Sequence, residues 1–193
     1  MWIRHVVALL ALAVAACAGP EVPQAPPAPV EPQPTAAQLR PGLLPLYFYA
    51  EYQSVDEMPS TPAELAKGIR GKPVAELNAN SNAGKLWEAQ TDVLYGVHFT
   101  GLIRLPAGET RFAVRSNDGT RVTLDRARIL DDPDPHPTRL TPPARVNIAA
   151  AGWYRLTVQY FQKRGAAALE LYWQPPGASA LGLVPADVLA HQP

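Results

Sequence analysis

An alternation of apolar and polar residues constrains this chain more than any other feature of its sequence. In each run, apolar side chains occupy every second position, which places them on one face of an extended strand. The runs lie at residues 97–105, 111–115, 121–125, 154–160 and 168–173. Half-buried antiparallel strands require this pattern, so the sequence predicts at least five such strands.

Turn-forming residues separate the alternating runs. Pro106-Ala107-Gly108 and Asn117-Asp118-Gly119 are strong breakers between strands. One short helix is predicted after Thr61, which can act as its N-cap with Glu64 as partner in a capping box. Many short strands, little helix and about 150 residues predict an all-β fold, a β-sandwich, as one domain over residues 42–191.

The charge balance excludes one class of function. Lys and Arg together number 17, and Asp and Glu together also number 17, so the formal net charge is zero. The chain has no run of Lys or Arg that would create a local basic field. We therefore expect no nucleic-acid partner.

The first sixteen residues are typical of an export signal. Arg4 supplies a positive charge, and an apolar run from Val6 to Ala16 follows it. As a helix this run would be roughly 16 Å long, whereas a bilayer core of ~30 Å needs about twenty residues. We therefore interpret residues 1–16 as a cleaved signal helix rather than a stable membrane anchor.

The residues at the end of this signal resemble a lipobox. Val14-Ala15-Ala16-Cys17 is similar to the cleavage site of bacterial lipoproteins, and Cys17 is the only cysteine. The resemblance implies cleavage before Cys17 and attachment of lipid, including palmitate, to that residue. Ala18 then favours the outer membrane. Plain secretion and an uncleaved anchor are the alternatives.

A linker rich in Pro and Ala follows, over residues 17–41 with the lipidated cysteine included. It has no aromatic residue, so we expect it to be disordered. Its prolines favour an extended spacer of about twenty-four residues that could reach roughly 70 Å. Such a spacer would hold the domain away from the lipid head groups. A Pro-rich ligand for a peptide-binding module is the alternative.

The order of motifs in the domain resembles the protective-antigen (PA-fourteen) domain family, over roughly Pro41 to His191. The motifs, in chain order, are Gly101-Leu102-Ile103, Pro106-Ala107-Gly108, Ser116-Asn117-Asp118-Gly119, a strand that ends near Asp125, Ala151-Gly152-Trp153-Tyr154, and Leu169-Glu170-Leu171-Tyr172-Trp173. The resemblance implies a two-sheet antiparallel β-sandwich that often binds carbohydrate, in adhesins, toxins, glycosidases and surface proteins.

The same resemblance implies a candidate calcium site. In fungal adhesins of the family, two adjacent aspartates joined by a cis peptide bond hold a calcium ion that binds sugar hydroxyls. Asp118 occupies the second aspartate position, and Asn117 occupies the first. Asn brings a carbonyl oxygen without a charge, so lower calcium affinity is expected. The alternative is that these residues only form a turn.

Two further segments supply candidate ligand-binding residues. The segment that matches the second calcium loop is basic and lacks Asn; its Lys163 and Arg164 are either donors to an anionic sugar or a solvated hairpin tip. Residues 131–136 are the densest polar cluster and could bind a cation, or could be only a polar loop stiffened by proline. From this region we name Asp131 and Asp134, with Asn117 and Asp118, as candidate calcium ligands, and His136 and Arg139 as ligand-binding candidates.

No enzyme constellation is present, so we expect the protein not to be an enzyme. No cysteine remains for nucleophilic chemistry after lipidation, and there is no nucleophile elbow or phosphate-binding loop. A carboxylate pair for glycoside hydrolysis stays open, because it is defined by distance in space. His98 lies on the polar face of a predicted strand and is expected to be exposed.

The sequence therefore predicts a membrane-tethered, non-catalytic binding lipoprotein of the cell envelope that recognises carbohydrate. Trp87, Trp153 and Tyr172 could stack on sugar rings, or could belong to the core. The alternative function is a structural or assembly module that docks a protein partner in the envelope.

Overall fold

The computed structural model describes residues 25–193. The predicted signal peptide and the lipid attachment site at Cys17 lie outside the described residues. Among residues 25–193, the structure contains no helix with the length and hydrophobicity of a membrane span.

Fourteen strands and four short helices make up the described domain. The strands are β1 (Arg40–Pro41), β2 (Leu44–Phe48), β3 (Ile69–Arg70), β4 (Asn78–Ser81), β5 (Tyr95–Leu105), β6 (Gly108–Asn117), β7 (Thr120–Leu124), β8 (Ala127–Asp132), β9 (Arg139–Leu140), β10 (Ala144–Ile148), β11 (Gly152–Gln162), β12 (Ala167–Gln174), β13 (Gly182–Leu183) and β14 (Leu189–His191). The helices are α1 (Pro62–Leu65) and three 3-10 turns, Ala36–Gln38, Val55–Glu57 and Ala186–Val188.

These strands form two antiparallel sheets. The eight-stranded sheet has the order β1-β14-β5-β11-β7-β8, and β2 and β3 extend it beside β5. The six-stranded sheet has the order β10-β6-β12-β13, with β4 beside β12 and β9 beside β6. The predicted all-β, PA-fourteen-like sandwich with one short α-helix is confirmed, and Thr61 and Glu64 form the capping box at that helix.

The apolar face of each predicted strand lies in one core between the sheets. Phe99, Phe112, Val158 and Leu169 are fully buried, as are their apolar neighbours at the alternating positions. Burial of each such side chain contributes about 1.5–3 kcal/mol to folding. The pattern in the sequence therefore identified the core because each strand has one buried and one more polar face.

A smaller apolar cluster corrects the expectation for His98. The segment after β2 folds over the outer face of the eight-stranded sheet, where Phe48, Tyr52, Val55, Met58 and Phe161 pack together. The His98 ring lies edge-on to Phe48 and is only 5% exposed. This burial lowers the pKa of His98 to about 4. The prediction of an exposed histidine was wrong because Phe48, at the end of the neighbouring strand β2, packs against its ring.

The two ends of the sandwich are set by its longest strands. We call the end that carries Asn117–Gly119 and Phe161 the turn end. We call the end that carries Gly152, Trp153 and the turn between β5 and β6 the linker end. Trp153 and Phe161 lie eight residues apart on β11, so about 26 Å separates the two ends.

The Pro-rich linker differs from the expected disordered spacer over its second half. Val30 is only 8% exposed, and its N–H donates to the carbonyl of Trp153 at 2.8 Å. Further along, β1 pairs with β14, so that Arg40 lies opposite His191. The linker is ordered here because its backbone and Gln33 find hydrogen-bond partners on the domain, which its composition does not reveal.

Candidate functional site

The turn Asn117–Gly119 connects the two sheets at the turn end. Asn117 ends β6 in the six-stranded sheet, and Thr120 begins β7 in the eight-stranded sheet. The Asn117–Asp118 peptide bond is cis, as the resemblance to fungal adhesins implies. A Cβ atom on Gly119 would lie 2.4 Å from the carbonyl oxygen of Pro133, so only glycine fits at this position.

Asp118 places a buried carboxylate between two loops. Its Oδ2 accepts a hydrogen bond of 2.7 Å from the N–H of Lys163, and its side chain and backbone together are only 6% exposed. Burial raises the pKa of Asp118, and hydrogen bonds from the backbone of Lys163 and His136 act in the opposite direction. Asp118 therefore binds the loop after β11 directly and lies beside His136 of the loop after β8.

Asn117 lies against the same loop after β8. Its Nδ2 donates to the hydroxyl of Thr138 at 3.2 Å. Its backbone carbonyl accepts a hydrogen bond of 2.6 Å from the Tyr160 hydroxyl. Both residues of the cis peptide are thus fixed by direct hydrogen bonds.

The basic loop after β11 is tied to its surroundings through Lys163. Its carbonyl accepts from the N–H of Leu94 at 3.1 Å, and its ammonium group donates to the side chain of Gln53. Arg164 is exposed at the tip of the same loop. Neither Lys163 nor Arg164 forms an ion pair with a carboxylate of residues 25–193.

His136 and Arg139 meet at Asp132 beside the turn. The Arg139 guanidinium forms a forked contact with both oxygens of Asp132, and this contact raises the pKa of Arg139. The Nε2 atom of His136 lies 3.1 Å from Asp132 Oδ2, while its Nδ1 lies 2.9 Å from the carbonyl of Pro137. Arg139 is opposite Ser116 in the β6–β9 pair, directly before Asn117. The structure thus places both predicted residues next to the candidate site.

The four candidate calcium ligands divide into two groups. Asn117 and Asp118 are adjacent, but Asp131 Oδ1 pairs with Arg121 at 2.7 Å and Asp131 Oδ2 pairs with Arg128 at 2.8 Å. Asp134 is exposed. Within residues 25–193, no group of three or more His, Cys, Asp or Glu side chains could hold a metal ion.

A calcium ion at Asn117 and Asp118 stays a prediction. The two side chains would supply one carboxylate and one uncharged carbonyl, whereas Asp131 is engaged by two arginines. Oxygen ligands suit calcium, but site charge strongly influences its affinity. These residues fit a weak site better than a tight one.

Sequence reasoning missed the support behind the turn. The Tyr160 hydroxyl, which donates to the Asn117 carbonyl, also lies 2.9 Å from Gln162 Oε1. Gln162 is buried, and its Nε2 donates to the carbonyl of Gly165 at 3.1 Å. Burial raises the pKa of Tyr160 well above its usual range. The available signal in the sequence was Gln162, a polar residue at the end of the otherwise apolar face of β11.

The candidate stacking residues lie in three separate places. Trp87 packs edge-on against Phe99 at 5.0 Å between ring centroids, beside the core. Trp153 lies at the linker end, with the Arg104 guanidinium carbon 5.9 Å from its ring centroid. Tyr172 donates to Glu170 at 2.7 Å, beside Arg115 and Asn80. They do not form one aromatic platform at the turn end.

Comparison with known proteins agrees with the fold. The family model described as "PA14 domain" matches residues 75–185. A PA14 sugar-binding domain from an RTX adhesin shares 18% identity at a TM-score of 0.57, with 78% of this chain and 98% of that chain covered. The epithelial adhesin 9 A domain from Candida glabrata, in complex with Galβ1-3GlcNAc, shares 10% identity at a TM-score of 0.63, with 87% and 97% covered.

A third similar structure belongs to a longer protein. An anti-sigma factor domain-containing protein shares 17% identity at a TM-score of 0.63, with 78% of this chain covered. The chain spans about half of that protein, because the match covers 48% of its length. No curated protein matches the chain significantly. The family match over more than half of the chain, together with the fold and the turn at Asn117–Asp118, shows that the protein belongs to the PA14 domain family.

Proposed function

We propose that the turn end binds carbohydrate and that lipid on Cys17 holds the chain at a bacterial outer membrane. The observation that carries the first part is the buried Asp118 carboxylate, which binds the loop after β11 and lies beside the loop after β8. The two similar adhesin domains are described as sugar-binding or as a galactoside complex. The protein acts here as a binding module without catalysis of its own.

The charges around the turn favour a sugar that carries a carboxylate or another anionic group. Arg139 is already paired with Asp132, whereas the Lys163 ammonium contacts an uncharged amide and Arg164 is exposed. An anionic sugar would therefore meet two positive charges without displacing an ion pair. Amide and backbone groups at the turn can bind sugar hydroxyls.

A glycan array tests the proposed binding. The mature chain, residues 17–193, is applied with calcium and with a chelator, beside the variants Asp118→Asn and Arg164→Ala. We expect binding to acidic glycans that Asp118→Asn abolishes and Arg164→Ala weakens. Arg126→Ala removes an exposed charge at the linker end and should bind like the parent chain. Absence of binding under both conditions would contradict the proposal.

Metabolic labelling tests the anchor separately. Cells that express the full chain with an alkyne analogue of palmitate should label the protein, and Cys17→Ala should remain unlabelled and leave the membrane fraction. Equal labelling of the two chains would rule out Cys17 as the acylated residue. The anchor proposal depends on the lipobox resemblance of Val14-Ala15-Ala16-Cys17.

The surface does not favour the protein-docking alternative. Among the described residues, the exposed large hydrophobic side chains are Ile69 and Leu140. Ile69 lies on β3 of the eight-stranded sheet, and Leu140 lies on β9 of the six-stranded sheet. Since they occupy different sheets, they do not form one apolar patch of the kind that marks a protein interface.

A further inference from the structure

The linker is bound to the domain through Trp153. The Trp153 carbonyl accepts from the N–H of Val30 at 2.8 Å, and the Trp153 N–H donates to Gln33 Oε1 at 2.7 Å. The other side-chain atom of Gln33, Nε2, donates to the Val30 carbonyl at 2.6 Å. One short segment of linker thus satisfies both backbone polar groups of a single strand residue.

The length of β7 explains why the linker binds here. β11 pairs with β7 only from Leu156 onward, so the first four residues of β11 extend beyond that neighbour. The N–H of Asp125, just after β7, donates to the carbonyl of Arg155. Two residues earlier on β11, Trp153 is the next residue whose backbone groups face the β7 side. The edge of a strand presents unpaired N–H and C=O groups that can pair with another segment, and Val30 and Gln33 supply the partners here.

Gly152, next to Trp153, also permits a close approach of the linker to β11. A Cβ atom on Gly152 would lie 2.9 Å from Gln33 Oε1, closer than real contacts allow. Glycine at this position therefore lets the Gln33 side chain reach the strand. Val30 adds apolar contact, because its side chain is nearly buried on the domain.

This contact shortens the free segment of chain between Cys17 and the domain. Only ten residue steps separate Cys17 from Pro27, which is buried on the domain. Ten residues span at most about 36 Å when fully extended. The expected spacer of about twenty-four residues could have reached roughly 70 Å and could have left the domain free to tumble.

We propose that the bound linker segment fixes the polarity of the domain on the membrane. The linker end faces the lipid surface, and the turn end points away from it. The inference rests on the proposed lipid anchor at Cys17, because the anchor defines where the membrane lies. It deepens the proposed function, since it directs the sugar-binding turn outward from the surface that carries the protein.

Energy transfer on vesicles tests this polarity without relying on lipidation in cells. Cys17 is the only cysteine, so the mature chain can be coupled through it to a maleimide lipid in vesicles. A donor dye is placed on an azide-bearing amino acid at Ala107 at the linker end or at Arg164 at the turn end, both exposed. With acceptor dye in the lipid, we expect transfer from position 107 to be at least about twofold higher, given the ~26 Å between the ends.

A linker variant distinguishes fixed polarity from simple proximity of the anchor. In Gln33→Ala combined with Val30→Gly, the linker contacts with Trp153 are weakened and the difference in transfer should fall towards zero. Gln53→Ala, which removes a contact at the turn end, should preserve the difference. Equal transfer from both positions in the parent chain, or an unchanged difference in the linker variant, overturns the proposal. Failure of Cys17 labelling in cells would instead contradict only the natural anchor.

Discussion

The turn end and the linker end both use one polar side chain to satisfy backbone groups of another segment. At the turn end the side chain is the buried carboxylate of Asp118, which accepts from the N–H group of Lys163 and lies near His136. At the linker end it is the neutral carboxamide of Gln33, which contacts Trp153 and Val30. The first joins loops far apart in sequence, whereas the second holds one local segment.

The turn end is therefore a structural site, whereas the contact at the linker end can be released. Removal of Asp118 would leave the N–H of Lys163 without its acceptor, which carries a high energetic cost. Removal of Gln33 would expose Trp153 to water, which can replace the lost partner. The turn end should therefore determine folding and ligand binding, while the linker end should determine orientation.

Asp118→Ala should give the largest effect. The backbone N–H of Lys163 would lose its acceptor, and an unsatisfied buried group costs about 1–3 kcal/mol. We expect the free energy of unfolding to fall by about 1–3 kcal/mol in urea titrations of the mature chain. A loss below about 1 kcal/mol would show that the contact of Asp118 is no more important for folding than the contact of Gln33 at the linker end.

Acid should destabilise the domain through His98, near the same end. The folded-state pKa of about 4 lies below the ordinary value of 6.5, so the stabilising contribution is complete above pH 6.5 and is lost as the pH falls to about 4. This difference between the two pKa values corresponds to about 3 kcal/mol of unfolding free energy. In His98→Gln, unfolding measured from pH 7 to pH 4 should depend less steeply on pH. Parallel profiles for the two chains would exclude His98 as the source.

Asn117→Asp should strengthen a calcium site at the turn end. A second carboxylate beside Asp118 adds the charge that the natural residue lacks, and we expect about tenfold tighter calcium binding by isothermal titration. Asn147→Asp adds the same charge on the exposed face of β10 and serves as the control. If both variants bind calcium like the parent chain, the turn is not a calcium site.

Gln33→Ala should have the smallest effect on global stability. Loss of one exposed hydrogen-bonded contact costs about 1 kcal/mol and should leave the sandwich folded. Hydrogen exchange at the Trp153 amide should become roughly fivefold faster, in line with that free energy. Gln53→Ala should leave the exchange of Trp153 unchanged. Protection of Trp153 equal to that in the parent chain would show that the linker contact is dispensable.

The core and the candidate turn could be predicted because each depends on local pattern. Period-two alternation identified the buried faces, such as Val97 and Phe99, without knowledge of the partner strands. The motif order placed Asn117–Asp118 at a turn between strands, and the structure shows that turn with its cis peptide bond. The match of residues 75–185 to the family covers the same motifs.

The remaining features depend on contacts between segments that have no periodic pattern. His98 is buried against Phe48, which belongs to an apolar cluster with Tyr52 and Val55. Asp131 pairs with Arg121 because the β7–β8 register, with its irregularity at Val122, sets them opposite each other. The bound half of the linker depends on Gln33, whose partner lies 120 residues away. Composition alone cannot locate such partners.

The pairing of β1 with β14 places the first and last strands of the domain side by side. Arg40 and His191 are direct neighbours across that pair, and His191 Nδ1 also lies 3.0 Å from the carbonyl of Gly42. A short peptide could therefore join the two strands and yield a circular permutant opened in an exposed loop such as 176–180. The same geometry would allow residues 40–191 to be inserted into a surface loop of a host protein, so that the Asn117–Gly119 turn could be moved to another protein together with the domain that supports it.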